Sequence, residues 1–317
     1  MTRPNAAPLK IQALRLGFRA LRFLSPDLAL RGAERLFSTP RRLPEPEVER
    51  QARFQGRTFH FVSRGIRLRG QAWGEGPAIL CLHGWEGRGA QFHAFIEPLM
   101  AAGFSVLTFD QPGHGGSRGK RSGPLEWAQA NQDLITAVGP IHGLVAHSLG
   151  AAGAAIAMAR GLTVPRAVFL APPASPDPYY HQVLSHLGIP ASEHAEAFLA
   201  YARRSGLPPE RIRVRSLVTE FSTPLLIIHD RKDREVPWAD GEAIAAACPS
   251  ATLLTTEGLG HKRILRDAAV IETAVAFLQQ GDRRALPFHG DGNRSLEWHL
   301  FHRELRGEGH LPLSAIS

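Results

Sequence analysis

Five consecutive residues, Ala146-His147-Ser148-Leu149-Gly150, have the spacing that makes a serine nucleophilic. An apolar run, Ile141–Ala146, precedes them and a small-residue stretch, Leu149–Ala159, follows. A buried strand that turns sharply into a helix at Ser148 would lift its hydroxyl clear of both elements. Small residues two before and two after the serine leave room for that turn, the G-x-S-x-G pattern of a nucleophile elbow. Ala146 in place of the first glycine adds one methyl, which still fits. The bland alternative is a serine that caps the helix. A second glycine-rich stretch, Asp110-Gln-Pro-Gly-His-Gly-Gly-Ser-Arg-Gly-Lys-Arg121, invites a phosphate-loop reading, which fails. A P-loop ending at Gly119-Lys120 requires glycine at 114 and Ser or Thr at 121, where His114 and Arg121 stand; a dinucleotide fingerprint from Gly113 meets Arg118 instead of glycine. Asp110, His114 and these glycines read as turn residues.

After the run Ala78–Leu82 comes His83-Gly84-Trp85-Glu86-Gly87. With the elbow, this loop resembles the α/β-hydrolase superfamily in its serine-nucleophile branch. The Ser117-x-Gly119-x-Arg121 extension is similar to monoacylglycerol-lipase and serine-aminopeptidase-type bacterial members. The resemblance covers about 54 to 280. It implies that the backbone N–H groups of Trp85 and Leu149 form an oxyanion hole, two fixed dipoles aimed where negative charge develops. It also implies an acid in His229-Asp-Arg-Lys-Asp-Arg-Glu-Val-Pro-Trp238, at Asp233, with Asp230 as the near rival and Asp177 as a remoter one. Asp230 is read as the more solvated of the two. A base is implied in the glycine-containing loop Glu257-Gly-Leu-Gly-His261, at His261. The order Ser148, Asp233, His261 is that of this superfamily.

What the resemblance implies is acyl transfer through a covalent serine intermediate, with the ester of a small molecule as substrate and no metal or cofactor; no H-E-x-x-H spacing occurs. Serine at 148 excludes the aspartate-nucleophile dehalogenases and epoxide hydrolases. Trp85 and a set of residues between the core runs, Tyr179, Tyr180, Leu184, Leu187, Phe198 and Tyr201, suggest an apolar acyl pocket, although some must simply pack. A thioesterase, an aminopeptidase with Glu86 receiving the substrate amine, or a C–C-bond hydrolase would use the same three residues. A non-catalytic small-ligand receptor on the same fold is the reading from a different class.

The elements that must position these residues alternate. Ala78–Leu82, Ser105–Phe109, Ile141–Ala146, Ala167–Leu170 and Leu225–Ile228 are continuous apolar runs, as for parallel strands covered on both faces. Helical patterns at Gln91–Ala102, Leu125–Ala137, Leu149–Ala159, Gly241–Ala247 and Asp267–Leu278 separate or follow them. This predicts a doubly wound, mostly parallel α/β sheet flanked by helices, with Thr58–Val62 and Ile66–Trp73 as an antiparallel edge. Between Ala174 and Thr223 the rhythm breaks into two helical stretches, Tyr179–Leu187 and Ser192–Arg203, which predict a helical cap. The division is a basic arm and linker at 1–53, a core at 54–173 and 224–280, the cap at 174–223, and a C-terminal extension at 281–317 whose Leu296, Trp298, Leu300 and Phe301 suggest a docked segment.

Composition narrows the function classes. Of the 317 residues 44% are hydrophobic and 21% charged, a globular balance that excludes wholesale disorder and coiled coil. Two cysteines, Cys81 and Cys248, cannot build a disulfide framework and read as buried thiols of a reducing compartment, so the expected location is cytoplasmic. The net charge of +8 is not spread evenly. Residues 1–70 hold 15 Lys and Arg against 5 Asp and Glu, leaving 22 against 24 for the remainder, so the body is near neutral. A nucleic-acid partner is therefore not expected. In the arm, Ile11, Leu14, Phe18 and Leu21 fall at helical spacing beside Arg15, Arg19 and Arg22. A helix docked on the body is the leading reading, with a lid or a peripheral membrane contact as the sharper ones. Pro40, Pro44 and Pro46 then mark a linker.

Overall fold

The computed structural model describes residues 9–280. An eight-stranded sheet of order β1-β2-β4-β3-β5-β6-β7-β8 organises them. The antiparallel edge is β1 (Arg57–Ser63) and β2 (Ile66–Trp73), and β2 also runs antiparallel to β4 (Ser105–Phe109). Parallel pairing joins β4 to β3 (Ala78–Leu82), and then β5 (Gly143–His147), β6 (Ala167–Leu170), β7 (Leu225–Asp230) and β8 (Ala251–Thr256). The chain leaves β3 toward one edge, to β4, and then comes back to its other side, to β5. The order therefore reverses between β3 and β5, and the crevice at the carboxyl ends of strands about such a switch point is where open α/β sheets bind ligands.

The parallel strands read as unbroken apolar runs because each face is covered. Leu144 and Ala146 of β5 join one core with Leu80, Leu82, Phe169 and Ile227, under α5 (Pro124–Val138) and α6 (Leu149–Ala159). Val145 joins the opposite core with Ile79, Cys81, Val168 and Ile228, under α4 (His93–Ala101) and α12 (Ala268–Gln279). Period-2 alternation assigns neighbouring residues to the two cores, so both parities must be apolar. Cys81 and Cys248 are buried free thiols.

Between β6 and β7 lie α7 (Asp177–His186), α8 (His194–Ser205) and α9 (Val214–Leu217); α10 (Trp238–Ala247) follows β7, and α11 (Gly260–Arg263) follows β8. The two longest of the β6–β7 helices match the helical stretches expected there.

The segment expected to be one helix and a linker holds three helices, α1 (Leu9–Leu24), α2 (Pro26–Phe37) and α3 (Glu47–Gln55). Their start signals were present in the sequence. Ser25 caps α2 by accepting from the Leu28 N–H, with Pro26 in the first turn; α3 opens on Glu47 and Glu49. Nor is α3 part of a free linker. Ala52 is in the core, the Trp73 indole N–H donates to its carbonyl at 3.1 Å, and a Cβ on Gly56 would stand 2.5 Å from the Trp73 ring. The segment suggested at 296–301 lies outside the described residues.

Candidate active site

At the end of β5 the backbone of Ser148 has φ 54° and ψ −125°, while its N–H donates to the Leu170 carbonyl at 2.9 Å. A serine held at positive φ costs of order 1–3 kcal/mol and persists only where the surroundings dictate it. They do so here. A Cβ on Gly150 would stand 2.5 Å from the Leu82 carbonyl oxygen and 2.6 Å from that of His83, so only glycine lets α6 approach β3 this closely. Ala146 is fully buried, its methyl accommodated. The Ser148 side chain makes no capping bond to α6, which disposes of the capping alternative. Positive-φ residues also follow the neighbouring strands: Glu86 beyond β3 and Ala171 beyond β6. Three such non-glycine residues thus crowd the carboxyl ends of β3, β5 and β6.

The loop after β3 presses on the elbow. A Cβ on Gly84 would meet that of Ser148 at 2.9 Å. His83 pins the loop: its Nδ1–H donates to the Gly84 carbonyl at 2.7 Å and its Nε2 accepts from the Gln111 N–H at 2.9 Å. Complete burial pushes His83 well below the usual histidine range, so it stays neutral. Gly87 closes a turn onto the Gly84 carbonyl. Between them, the Trp85 N–H has no acceptor among the described residues, and neither has the N–H of Leu149 in the first turn of α6. These are the two donors expected of an oxyanion hole, both unspent. The Trp85 indole packs on His114 and Trp127. Asp110 is a turn residue as read, accepting from Gly89 N–H, Gly116 N–H and Arg69.

The residues expected as acid and base, Asp233 and His261, come together beyond β7 and β8. His261 Nδ1–H donates to Asp233 Oδ2 at 2.7 Å. Asp233 Oδ1 accepts from the N–H groups of Glu235 and Val236. Burial works to raise its pKa, but hydrogen bonds from His229 and His261 outweigh that and hold the carboxyl well below the usual range. His229, in β7, donates through Nε2 to the Val236 carbonyl at 3.0 Å and lies 3.5 Å from Asp233 Oδ2. This supporting role was not read from the sequence, although a histidine four residues before the acid was its signal.

Asp230 differs from expectation. It is fully buried, not solvated, with Oδ1 accepting from Lys232 and Gly258 N–H and Oδ2 from the Thr256 hydroxyl and Leu259 N–H. Four donors use up its lone pairs, and it fastens the loop after β7 to the loop after β8. Asp177 is committed elsewhere, to Arg213 and the Ser175 hydroxyl.

His147, next to the serine, fastens the loop that holds His261. Its Nε2–H donates to the His261 carbonyl at 2.9 Å, and the two rings lie 4.6 Å apart. The Ser148 hydroxyl itself has no hydrogen-bond partner among the described residues, so Asp233 and His261 are joined while the serine–histidine bond is unmade. Such bonds are often long without substrate and close in its presence.

The expected pocket aromatics divide. Tyr180, Leu184, Leu187 and Phe198 are buried in the core, and Tyr180 and Tyr201 pack edge-on against Phe37 of α2. Tyr179 and Tyr180 both bury hydroxyls without a partner, and burial pushes both pKa values up; Tyr179 differs in that Asp240 and Asp233 act on its hydroxyl. Glu86 is held by Arg41 in a bidentate pair, which removes it as a free carboxylate for an amine.

The sequence and fold both match known proteins. A model of the alpha/beta hydrolase family matches residues 79–216, and one described as TAP-like protein matches 202–288. The pimeloyl-[acyl-carrier protein] methyl ester esterase of Xanthomonas axonopodis pv. citri is 30% identical over 242 residues, covering 64% of this chain and 94% of that protein. Among solved structures, an esterase from Rhodococcus sp. ECU1013 superposes with TM-score 0.53 at 17% identity, over 71% of this chain and 100% of that one. A meta-cleavage product hydrolase from Pseudomonas fluorescens IP01 does so with TM-score 0.53 at 15% identity, over 69% and 96%. The chain belongs to the α/β-hydrolase family. Within it, the chain is an enzyme of the carboxylic ester hydrolase class.

Proposed function

We propose that this enzyme cleaves esters through an acyl-enzyme on Ser148, with His261 as base, Asp233 as its orienting acid, and the N–H groups of Trp85 and Leu149 as the oxyanion hole. The observation that carries this is the 2.7 Å bond between His261 Nδ1 and Asp233, assembled from separate loops at the same carboxyl end of the strands as the strained serine. With Nδ1–H committed to Asp233, neutral His261 has Nε2 free as acceptor. It takes the Ser148 proton as the hydroxyl attacks the ester carbonyl, then returns it to the departing alkoxide. Asp233 stabilises the imidazolium formed between those steps. The carbonyl oxygen, now anionic, meets the two unspent N–H dipoles. Water repeats the attack, His261 again removing the proton; the bond to Ser148 Oγ breaks, His261 returns the proton to that oxygen, and the acid leaves.

The reading extends to the substrate. The name of the Xanthomonas relative supports an ester in which a small alcohol leaves from an acyl chain. Trp85, in the loop after β3, and Tyr179, in α7 with Asp233 acting on its hydroxyl, are the aromatic groups nearest the proposed chemistry, and the acyl group they would meet is apolar. The competing thioesterase, aminopeptidase and C–C-bond hydrolase readings share the three residues; the pairing of Glu86 with Arg41 weighs against the aminopeptidase. A ligand receptor has no use for the assembled acid–base pair.

A fluorophosphonate probe followed by intact-mass measurement tests the mechanism. One adduct per wild-type chain and none on Ser148→Ala is the expected result. A folded wild type that takes no adduct overturns it and brings the receptor reading forward. For the substrate, kcat/KM rises from acetyl to medium-chain methyl esters; a flat or falling series removes the apolar acyl pocket.

A further inference from the structure

Helix α1 has two apolar faces, and the fold covers one. Ile11, Leu14, Phe18 and Leu21 recur at the spacing of one face; of these Phe18 is buried and Leu21 packs against the core, while Leu14 is 42% exposed. Leu16, Ala20, Phe23 and Leu24 recur at i, i+4, i+7 and i+8, a second face. There Leu16 is 69% exposed, Phe23 91% and Leu24 79%, and Leu28 in the first turn of α2 is 54% exposed. Single exposed leucines are ordinary, but four large apolar side chains gathered at one helix corner are not. A helix that needed only to dock would carry one apolar face and a polar one.

The charge around this corner is mainly basic; the acidic residues of α2, Asp27 and Glu34, are paired with Arg31 and Arg204. Arg15, Arg19 and Arg22 form the seam between the two faces, and Arg31 and Arg35 share the Leu28 face of α2. Arg15 donates to the His186 carbonyl and Arg22 pairs with Glu193, which ties α1 to the cap. Arg31 pairs with Asp27, whereas Arg19 and Arg35 have no carboxylate partner among the described residues. Residues 1–70 as a whole carry 15 basic against 5 acidic side chains. No described helix is long and apolar enough to cross a membrane, and α1 has 16 residues.

We infer that the corner of α1 and α2 is a peripheral docking surface for an anionic lipid bilayer. Leu16, Phe23, Leu24 and Leu28 enter the headgroup–acyl boundary, and Arg19 and Arg35 meet lipid phosphates. An interfacial helix requires this pairing of an apolar face with basic flanks. A protein partner or a second copy of the chain would bury the apolar group equally well, but only an anionic surface also answers the unpaired arginines. The inference is independent of the chemistry proposed for Ser148. The face read from spacing as docking on the body, Ile11 to Leu21, is the one whose Phe18 and Leu21 meet the core, and the membrane-facing surface is the second one.

Flotation of the full chain with unilamellar vesicles tests this, comparing equal parts phosphatidylglycerol and phosphatidylcholine with phosphatidylcholine alone. The wild type floats with the anionic vesicles and is released by high salt. Leu16→Ser, Phe23→Ser and Leu24→Ser combined lower the partition coefficient at least about tenfold. Arg19→Glu with Arg35→Glu lowers it on anionic vesicles to the level of phosphatidylcholine alone. All these side chains are on the surface, so circular dichroism and melting temperature remain those of the wild type. Failure of the wild type to float overturns the inference, as does equal flotation of the serine variant. A wild type that sediments as a dimer, fails to float and becomes monomeric in the serine variant assigns the face to a second copy instead. Binding that the arginine variant loses and the serine variant keeps overturns the insertion of the apolar group.

Discussion

The ring of His147, beside Ser148, donates a hydrogen bond to the backbone carbonyl of His261 at 2.9 Å. The residue preceding the serine thereby fixes the loop that carries His261, across 114 positions of sequence. Burial pushes the pKa of His147 down to about 3, so the ring remains neutral, with its one proton on the nitrogen facing a carbonyl that can only accept.

Removing that donor tests it as a positioning residue. His147→Ala lowers kcat about tenfold to a hundredfold with little change in KM, since the mechanism asks His261 for placement more than for binding. His147→Gln, which keeps a donor on a side chain of similar reach, recovers part of the loss. Steady-state kinetics on a soluble ester separates the two; equal loss in KM and kcat would make His147 merely structural.

Asp233→Asn retains the shape of the acid but not its charge. The expected loss in kcat is of the order of 10⁴-fold, as for the comparable substitution in the serine-protease triad. Asp230→Asn acts differently. It leaves buried donors facing an amide and is read as lost stability of about 1–3 kcal/mol in urea unfolding, with kcat changed far less. If Asp230→Asn abolished turnover in a folded protein while Asp233→Asn did not, the acid would be reassigned.

Stability depends on pH through the buried histidines. Burial lowers His83, His114 and His147 in the fold, His114 to about 4 and His147 to about 3, whereas unfolded histidine titrates near 6.5. Between those values the unfolded chain binds protons the folded one refuses, so stability is full above about pH 6.5 and falls as pH drops below it. Each group contributes a slope of up to about 1.4 kcal/mol per pH unit. Urea unfolding at several pH values between 7 and about 5 should show this, and His114→Leu should make the slope shallower by one histidine's share.

Two glycines should fail in opposite ways. Gly150→Ala drives a methyl into the Leu82 and His83 carbonyls, which are backbone and cannot move aside, so it costs about 3 kcal/mol or more of stability. Gly84→Ala meets the Cβ of Ser148 itself, so the loss falls on adduct formation with the fluorophosphonate rather than on unfolding.

Much of the site was legible in sequence because its signals are local. The elbow at Ser148 is a steric pattern within five residues, and the oxyanion donors are backbone groups whose position follows from the turn after β3 and the start of α6. The buried strands were legible for a similar reason: continuous apolar runs are what coverage on both faces requires. The acid needed more. Asp230 and Asp233 stand three residues apart in one charged loop, and no local pattern says which will be enclosed. Tertiary structure separates them: the Lys232 N–H after β7, the Thr256 hydroxyl at the end of β8 and the Gly258 and Leu259 N–H groups beyond it enclose Asp230, while His261 bonds Asp233. The same holds for the cap aromatics, consumed by packing against one another and against Phe37 of a helix the periodicity did not reveal. For α1, spacing showed an apolar stripe, but burial is a relation between surfaces. Which stripe faces the protein and which faces outward was settled only by where α2 and the cap come to lie.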